Sequence, residues 1–248
     1  MHYIDNSQQY IKEVHKVSNL EDSIEIANPQ QPHCPVVLLL DTSGSMSEAG
    51  KIAELSEGLV IFKNDILKDD LASKRVDLAV VTFNDAVTII QDFGAMKDFE
   101  PPTLNADGHT LMGDAIIKAI EMVEGRKKQY KETGVDYFRP WIFMITDGEP
   151  TDMYPGKGSK WDEVVSMVHQ GEENRKFMFF AIAVDPANTE LLTQIAPPNR
   201  PPVQLKAGRF GAMFQWLSQS QAKVSCSNPG DQVALVSPDA AGWGTITS

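Results

Sequence analysis

Three unbroken apolar runs constrain this chain more than any other feature: Val-Val-Leu-Leu-Leu at 36–40, Trp-Ile-Phe-Met-Ile at 141–145 and Phe-Met-Phe-Phe-Ala-Ile-Ala-Val at 177–184. Each has strand length and lacks the polar alternation of a half-solvated strand, so each suits a strand covered on both faces. Each also gives way to a polar turn carrying an aspartate: Asp41, Asp147 and Asp185. Covering both faces takes helices, and the intervening segments supply them. Residues 51–68 place Ile52, Leu55, Leu59, Phe62 and Ile66 at spacings of three and four, one apolar stripe on a helix. Similar stripes run through Ala115, Ile116, Ala119, Ile120 and Val123, through Val164, Val165 and Val168, and through Phe210, Met213, Phe214 and Leu217. A short helix is expected over 189–195.

Two further β-rich runs, 76–83 and 86–92, meet at Asn84-Asp85, a pair suited to a tight hairpin, which predicts an antiparallel edge. Residues 203–205 suit a short strand at the other edge. The order of these elements predicts an α/β fold: a doubly wound, mostly parallel six-stranded sheet with one antiparallel edge strand and helices on both faces. At 248 residues, one such domain is of ordinary size. We expect a polar N-terminal arm over 1–33, with a short strand near 23–26, and the domain proper over 34–221. A Ser-, Gly- and Pro-rich tail follows over 222–248, from which Trp243 is free to dock back.

Charge narrows the function. With 34 Asp and Glu against 22 Lys and Arg, the net charge of −12 opposes phosphate-rich surfaces, which argues against nucleic acid or an anionic membrane as partner. A cation is the natural counterpart. No apolar stretch reaches the length of a membrane span, and residues 1–6 lack the basic and apolar regions of a secretory signal. The two cysteines, Cys34 and Cys226, have neither the spacing of a zinc site nor the density of a disulfide scaffold. These features lead us to expect a chain that stays in a reducing cytoplasm, with Cys34 as a small buried group and Cys226 as a tail thiol.

In an open parallel sheet, ligands bind beyond the carboxyl ends of the strands. Three stretches near those ends are rich in oxygen donors and free of sulfur ligands: 41–46, 108–111 and 146–150. Alternate side chains of the first turn share a side, with Gly44 permitting the bend, so Asp41, Ser43 and Ser45 converge. Adding Thr110 and Asp147 gives five oxygen donors, a set suited to a hard cation, Mg²⁺ or Mn²⁺, that keeps several waters. Hydroxyls make up most of the set, so the ion keeps positive character toward an arriving carboxylate. Taken singly, Asp41 and the serines suit a helix cap, Thr110 the start of the second helix and Asp147 a turn with Gly148. Those roles explain each piece but not the set. His109, Glu149, Asp152 and Tyr154 are candidates for a partner-binding rim, against the plainer alternatives of a loop histidine, solvated charges and a passive surface loop.

Asp41-Thr42-Ser43-Gly44-Ser45 after a buried strand, Thr110 before a helix and Asp147-Gly148 after another strand resemble the metal-ion-dependent adhesion site of the von Willebrand factor A domain family, over roughly 34–221. The resemblance implies direct ligation by Ser43 and Ser45 and a largely water-mediated role for Asp41. It also implies that Thr110 and Asp147 exchange direct and water-mediated roles as ligand binds, and that the last helix moves with the metal loops. A binding module and not an enzyme is implied, with a protein partner supplying an Asp or Glu. Asp147-Gly148-Glu149-Pro150-Thr151-Asp152 and Gly242-Trp243-Gly244 further resemble the bacterial TerY-like branch, associated with tellurite resistance and chemical stress beside a kinase and a phosphatase. One departure is His109, which separates Gly108 from Thr110 where the family often has two glycines before the threonine. The alternative, a Mg²⁺-dependent phosphohydrolase of the haloacid-dehalogenase type, also begins from an aspartate after the first parallel strand. Its acid/base carboxylate two residues on is Ser43 here.

Overall fold

In a computed structural model, which describes residues 26–247, strands and helices alternate in the expected order. The strands β1 (Cys34–Asp41), β2 (Val76–Phe83), β3 (Val87–Ala95), β4 (Trp141–Thr146), β5 (Met178–Ala183), β6 (Val203–Leu205) and β7 (Gly244–Ile246) form one sheet in the order β3-β2-β1-β4-β5-β6-β7. From β2 to β6 neighbours are parallel, while β3 and β7 are antiparallel edges. The helices are α1 (Lys51–Lys68), α2 (Ala72–Arg75), α3 (Met112–Thr133), α4 (Lys160–Glu173), α5 (Thr189–Ile195) and α6 (Phe210–Ser225).

The α/β class and the mostly parallel sheet match the sequence expectation, with one strand and one antiparallel edge more than the six and one expected. The extra strand, β7, comes from the tail, where three residues in a Gly-rich setting carry no apolar run to reveal it. Gly244 is required there, because a Cβ would lie 2.4 Å from Val203 Cγ1. The strand expected near 23–26 lies outside the described residues apart from Ile26.

Alternation along β1 explains its unbroken apolarity. Val36, Leu38 and Leu40 join one core with Leu55, Leu59 and Phe62 of α1 and Phe210, Met213 and Phe214 of α6. Val37 and Leu39 join the other, with Ile116 and Ala119 of α3 and Val164 and Val168 of α4. Both faces are covered, so neither tolerates polar residues. Strand order reverses beside β1: the chain goes out to β2 and β3, then returns to β4 on the other side. The carboxyl ends of β1 and β4 therefore border a crevice, the usual ligand position in such sheets, and Asp41 and Asp147 stand there.

The tail packs against the domain. Trp243 is wholly buried with its ring 5.2 Å from that of Trp216, whose Nε1 donates to the Val236 carbonyl at 2.8 Å. Cys34 is buried, and burial pushes its thiol well above the ordinary range, whereas Cys226 is exposed. No helix among the described residues is long and apolar enough to cross a membrane.

Gly58 lets α1 approach α6, since a Cβ there would fall 2.1 Å from Phe214 Cδ2. Gly58→Ala is expected to lower stability by about 1–3 kcal/mol through overpacking. On α3, a Cβ at Gly125 meets nothing within 4 Å, so Gly125→Ala is expected to raise stability by up to about 1 kcal/mol through helix propensity alone. Denaturant midpoints of the two variants check both signs.

Candidate metal centre

The centre is assembled from three chain segments. Asp41, the last residue of β1, is wholly buried; its Oδ1 accepts from the Ser43 amide at 2.8 Å and its Oδ2 from Thr146 Oγ1 at 2.5 Å. The turn that follows is bound sideways to the loop before α3. The Thr42 carbonyl accepts from the Asp107 amide at 2.9 Å, and the Gly44 amide donates to the Gly108 carbonyl at 3.1 Å. In the third segment Asp147, directly after β4, accepts at Oδ1 from Ser45 Oγ at 2.6 Å. Ser45 Oγ is also 3.1 Å from Ser43 Oγ. Thr110 is fixed through its backbone, its amide donating to Thr151 Oγ1 at 3.1 Å and its carbonyl accepting from the Thr151 amide at 2.9 Å. A Cβ placed on Gly148 would meet Thr110 Oγ1 at 3.2 Å and Asp41 Oδ2 at 3.5 Å, so glycine there leaves those two oxygens facing a shared space.

All five expected donors thus come together, as two carboxylates and three hydroxyls. None of the five carries a nitrogen or sulfur donor, and among the described residues no group of three or more His, Cys, Asp and Glu comes together. An oxygen-only set suits a hard divalent cation.

A sixth residue belongs to the centre and is absent from the sequence-based set. Lys51, the first residue of α1, is only 7 % exposed. Its Nζ donates to Asp147 Oδ2 at 2.5 Å and to the Ser45 carbonyl at 3.2 Å. A lysine in the first turn of a helix opposes the helix dipole, and the Asp147 carboxylate offsets that cost. This wrong-signed residue directly after an oxygen-rich turn was the available signal, hidden because Lys51 also opens an amphipathic helix.

The four rim candidates divide. His109 is exposed and directed to Asp85 of the β2–β3 hairpin, whose Oδ1 accepts from the His109 amide at 2.8 Å and lies 2.6 Å from its Nδ1. The amide first, and the ring second, hold the Asp85 carboxyl below the usual carboxylate range. Gly108 permits this arrangement: its φ is +76°, and a Cβ there would collide with the Asp85 carboxylate at 2.4 Å. Glu149 is exposed and accepts from Asn188 Nδ2 at 2.7 Å, while Tyr154 is 67 % exposed with its hydroxyl donating to the Thr151 carbonyl. Asp152 turns inward. Its oxygens accept from the Gly113 and Asp114 amides at 3.0 and 2.9 Å, capping α3, and from Lys160 Nζ at 2.6 Å.

With this geometry in place, the chain is recognised as a member of the von Willebrand factor type A domain family, which matches residues 36–216. Domains of this family are generally non-catalytic modules that bind protein partners. The fold is similar to that of the pilus adhesin SpaC from Lactobacillus rhamnosus GG, with a TM-score of 0.61 and 12% identity over 78% of this chain and 31% of that one. It is also similar to a von Willebrand factor type A protein from Catenulispora acidiphila, with a TM-score of 0.57 and 15% identity over 78% and 43% of the two chains. The PilB minor pilin from Streptococcus sanguinis gives a TM-score of 0.53 and 12% identity over 80% and 64%. The chain spans less than two thirds of each of these proteins, and at such identities the likeness is one of fold. No curated protein matches the sequence.

Burial raises the pKa of Asp41 and outweighs the donors on its two oxygens, with nearby Asp147 adding to the rise. An unfolded Asp titrates at about 3.9 and gives up its proton first, so between the two values the folded chain binds more protons. Stability contributed by this group is then present at low pH and lost as pH rises through the folded value. In metal-free buffer, Asp41→Asn is therefore expected to gain stability relative to the parent as pH is raised from about 4. Thermal unfolding across pH checks it; a constant difference between the two proteins contradicts it.

Proposed function

We propose that this chain is a divalent-cation-dependent module that binds a protein partner through the crevice between β1 and β4. Asp41, Ser43, Ser45, Thr110 and Asp147 would hold Mg²⁺ or Mn²⁺, and an Asp or Glu of the partner would complete the coordination. The convergence of five oxygen donors at the strand-order reversal carries this reading. The ion would supply a localised positive charge that neutral hydroxyl donors leave partly unsatisfied.

The chain's own groups prepare the place. Thr146 and the Ser43 amide fix the orientation of Asp41 and leave it better suited to act at a distance than as an exposed nucleophile. That arrangement, with Ser43 where a second carboxylate would be needed, weighs against phosphate-ester hydrolysis. Lys51 occupies Asp147 Oδ2, so ligation through that oxygen requires the ammonium to give way, whereas Oδ1 faces Ser45. Asp85 and Glu149 would oppose an acidic partner, but both are exposed, tied to His109 and Asn188, and screened within about 8 Å at physiological salt. A contact at the partly desolvated centre is screened much less.

SpaC is a pilus adhesin, and its likeness in fold supports a binding surface here. The TerY-like segments 147–152 and 242–244 support a partner within a bacterial tellurite-resistance or chemical-stress system, with a kinase or phosphatase of that system as the candidate.

A pull-down from native lysate is expected to retain a partner with Mg²⁺ and release it with chelator. Ser43→Ala with Ser45→Ala should weaken that binding at least about tenfold, or 1.4 kcal/mol; equal capture after chelation would refute the bridge. Lys51→Met keeps the apolar stem and removes the charge that faces a buried Asp147. In chelator this variant is expected to lose a few kcal/mol, in line with the roughly 3–5 kcal/mol for breaking a buried pair. Saturating Mg²⁺ should raise its melting temperature more than it raises that of the parent, a comparison that differential scanning calorimetry reads directly.

A further inference from the structure

The opposite ends of the strands carry a second polar cluster. Arg139 precedes β4, Arg175 precedes β5 and Arg200 precedes β6, and these strands are parallel neighbours. Three guanidinium groups therefore collect at the edge of the sheet away from Asp41 and Asp147. One buried carboxylate serves them. Glu172, in the last turn of α4, accepts at Oε1 from Arg139 at 3.0 Å and from Arg200 at 3.2 Å, and at Oε2 from the Phe179 amide at 2.9 Å. Arg200 also lies 4.6 Å over the Phe180 ring.

Positive charge and donors are left over. Arg175 is exposed, held at φ +55°, and has no ion pair among the described residues. The Nε atoms of Arg139 and Arg200 are buried without a hydrogen-bond partner. Those two atoms are closed off from solvent, so the donors open to a ligand are those of Arg175 and the remaining edge of Arg139. Burial, and then the nearby Arg200 and Arg175, hold the Arg139 guanidinium below its ordinary value despite the attraction of Glu172. In a chain of net charge −12, a local surplus of arginine calls for an anion.

A cavity of about 220 Å³ opens beside this cluster. Arg139 and Arg175 form its polar side, and Phe138, Trp141, Met178 and Leu235 its apolar side. Asp231 also lines it, with its Oδ2 accepting from the Asn228 amide at 2.9 Å. Among the residues that line it, Arg139 and Arg175 against Asp231 leave one positive charge, which matches a monoanion better than a phosphate dianion. A dry apolar cavity of roughly 150 Å³ takes benzene, so this one has room for a ring and a carboxylate.

We infer that the cavity between the tail and the starts of β4 and β5 binds a small monocarboxylate with an apolar body. The carboxylate lies toward Arg175, whose planar fork is unpaired among the described residues, with the Arg139 charge beside it, and the body lies against Phe138, Trp141, Met178 and Leu235. The same chemistry is offered by a free organic acid and by the apolar C-terminal residue of a peptide. Neither depends on the metal centre.

Calorimetric titration in chelator, with chemical-shift mapping by NMR, tests the inference. Phenylacetate is expected to bind with shifts centred on Arg139, Trp141 and Arg175, and phenylacetamide at least about tenfold more weakly. Arg175→Gln, at an exposed position, should weaken phenylacetate by about tenfold without lowering the melting temperature. Arg175→Lys keeps the charge and loses the fork, and should weaken it too. N-acetyl-glycyl-phenylalanine against phenylacetate separates the sources: tighter binding of the first supports a peptide end, tighter binding of the second a free acid. Absence of phenylacetate binding overturns the inference, as does equal binding of the amide or of inorganic phosphate.

Discussion

Two carboxylates buried side by side at the ends of neighbouring strands are the constraint on which this structure depends. Removing a carboxylate from water is the larger cost and the repulsion between Asp41 and Asp147 adds to it, so both are surrounded by donors and positive charge. The chain supplies these from three places around the crevice: Thr146 from β4, the Ser43 amide and Ser45 hydroxyl from the turn after β1, and the Lys51 ammonium from the start of α1. The lysine is the informative member. A site designed around an internal ion pair alone would have no need of three converging hydroxyls, and a site built only for an external cation would have no need of an internal ammonium. Holding both is what the proposed exchange of the ammonium for a bound cation would require.

Much of this was legible in the sequence because strands buried on both faces announce themselves and because their ends are where side chains turn toward a common rim. The five donors follow strand ends and one helix start, so the order of elements places them without any distance being known. Helix α1 occupies the span 51–68 that its stripe indicates, and the last helix runs four residues beyond 221 because Val224 still packs against the core. Lys51 and Asp152 were not legible in their actual roles. Their partners lie far off in sequence, at Asp147 and at the Gly113 and Asp114 amides, and a charged residue in a loop looks the same whether it faces solvent or a helix end. β7 was hidden for a related reason: a strand of three residues is specified by the edge it joins more than by its own composition.

The parallel sheet also separates charge. Its carboxyl ends gather Asp41 and Asp147, while the starts of β4, β5 and β6 gather Arg139, Arg175 and Arg200. Both clusters arise from the same geometry, since parallel strands bring equivalent loop positions to the same side. One cluster is organised around oxygen donors and the other around guanidinium groups, so the two ends of a single domain present opposite charge.

The unequal lateral borders of the sheet have a consequence for how copies of the protein meet. At one border the ladder ends in two strands of only three residues, too short to template a partner strand. At the other, β3 runs for nine residues and presents Ile89 and Ile90 at its surface. Its pairing with β2 is interrupted by register shifts between Leu78 and Val81. Such irregularities twist a border strand away from flat, continuous pairing, so among the described residues the longer border is blunted by its shape where the shorter one is blunted by its length.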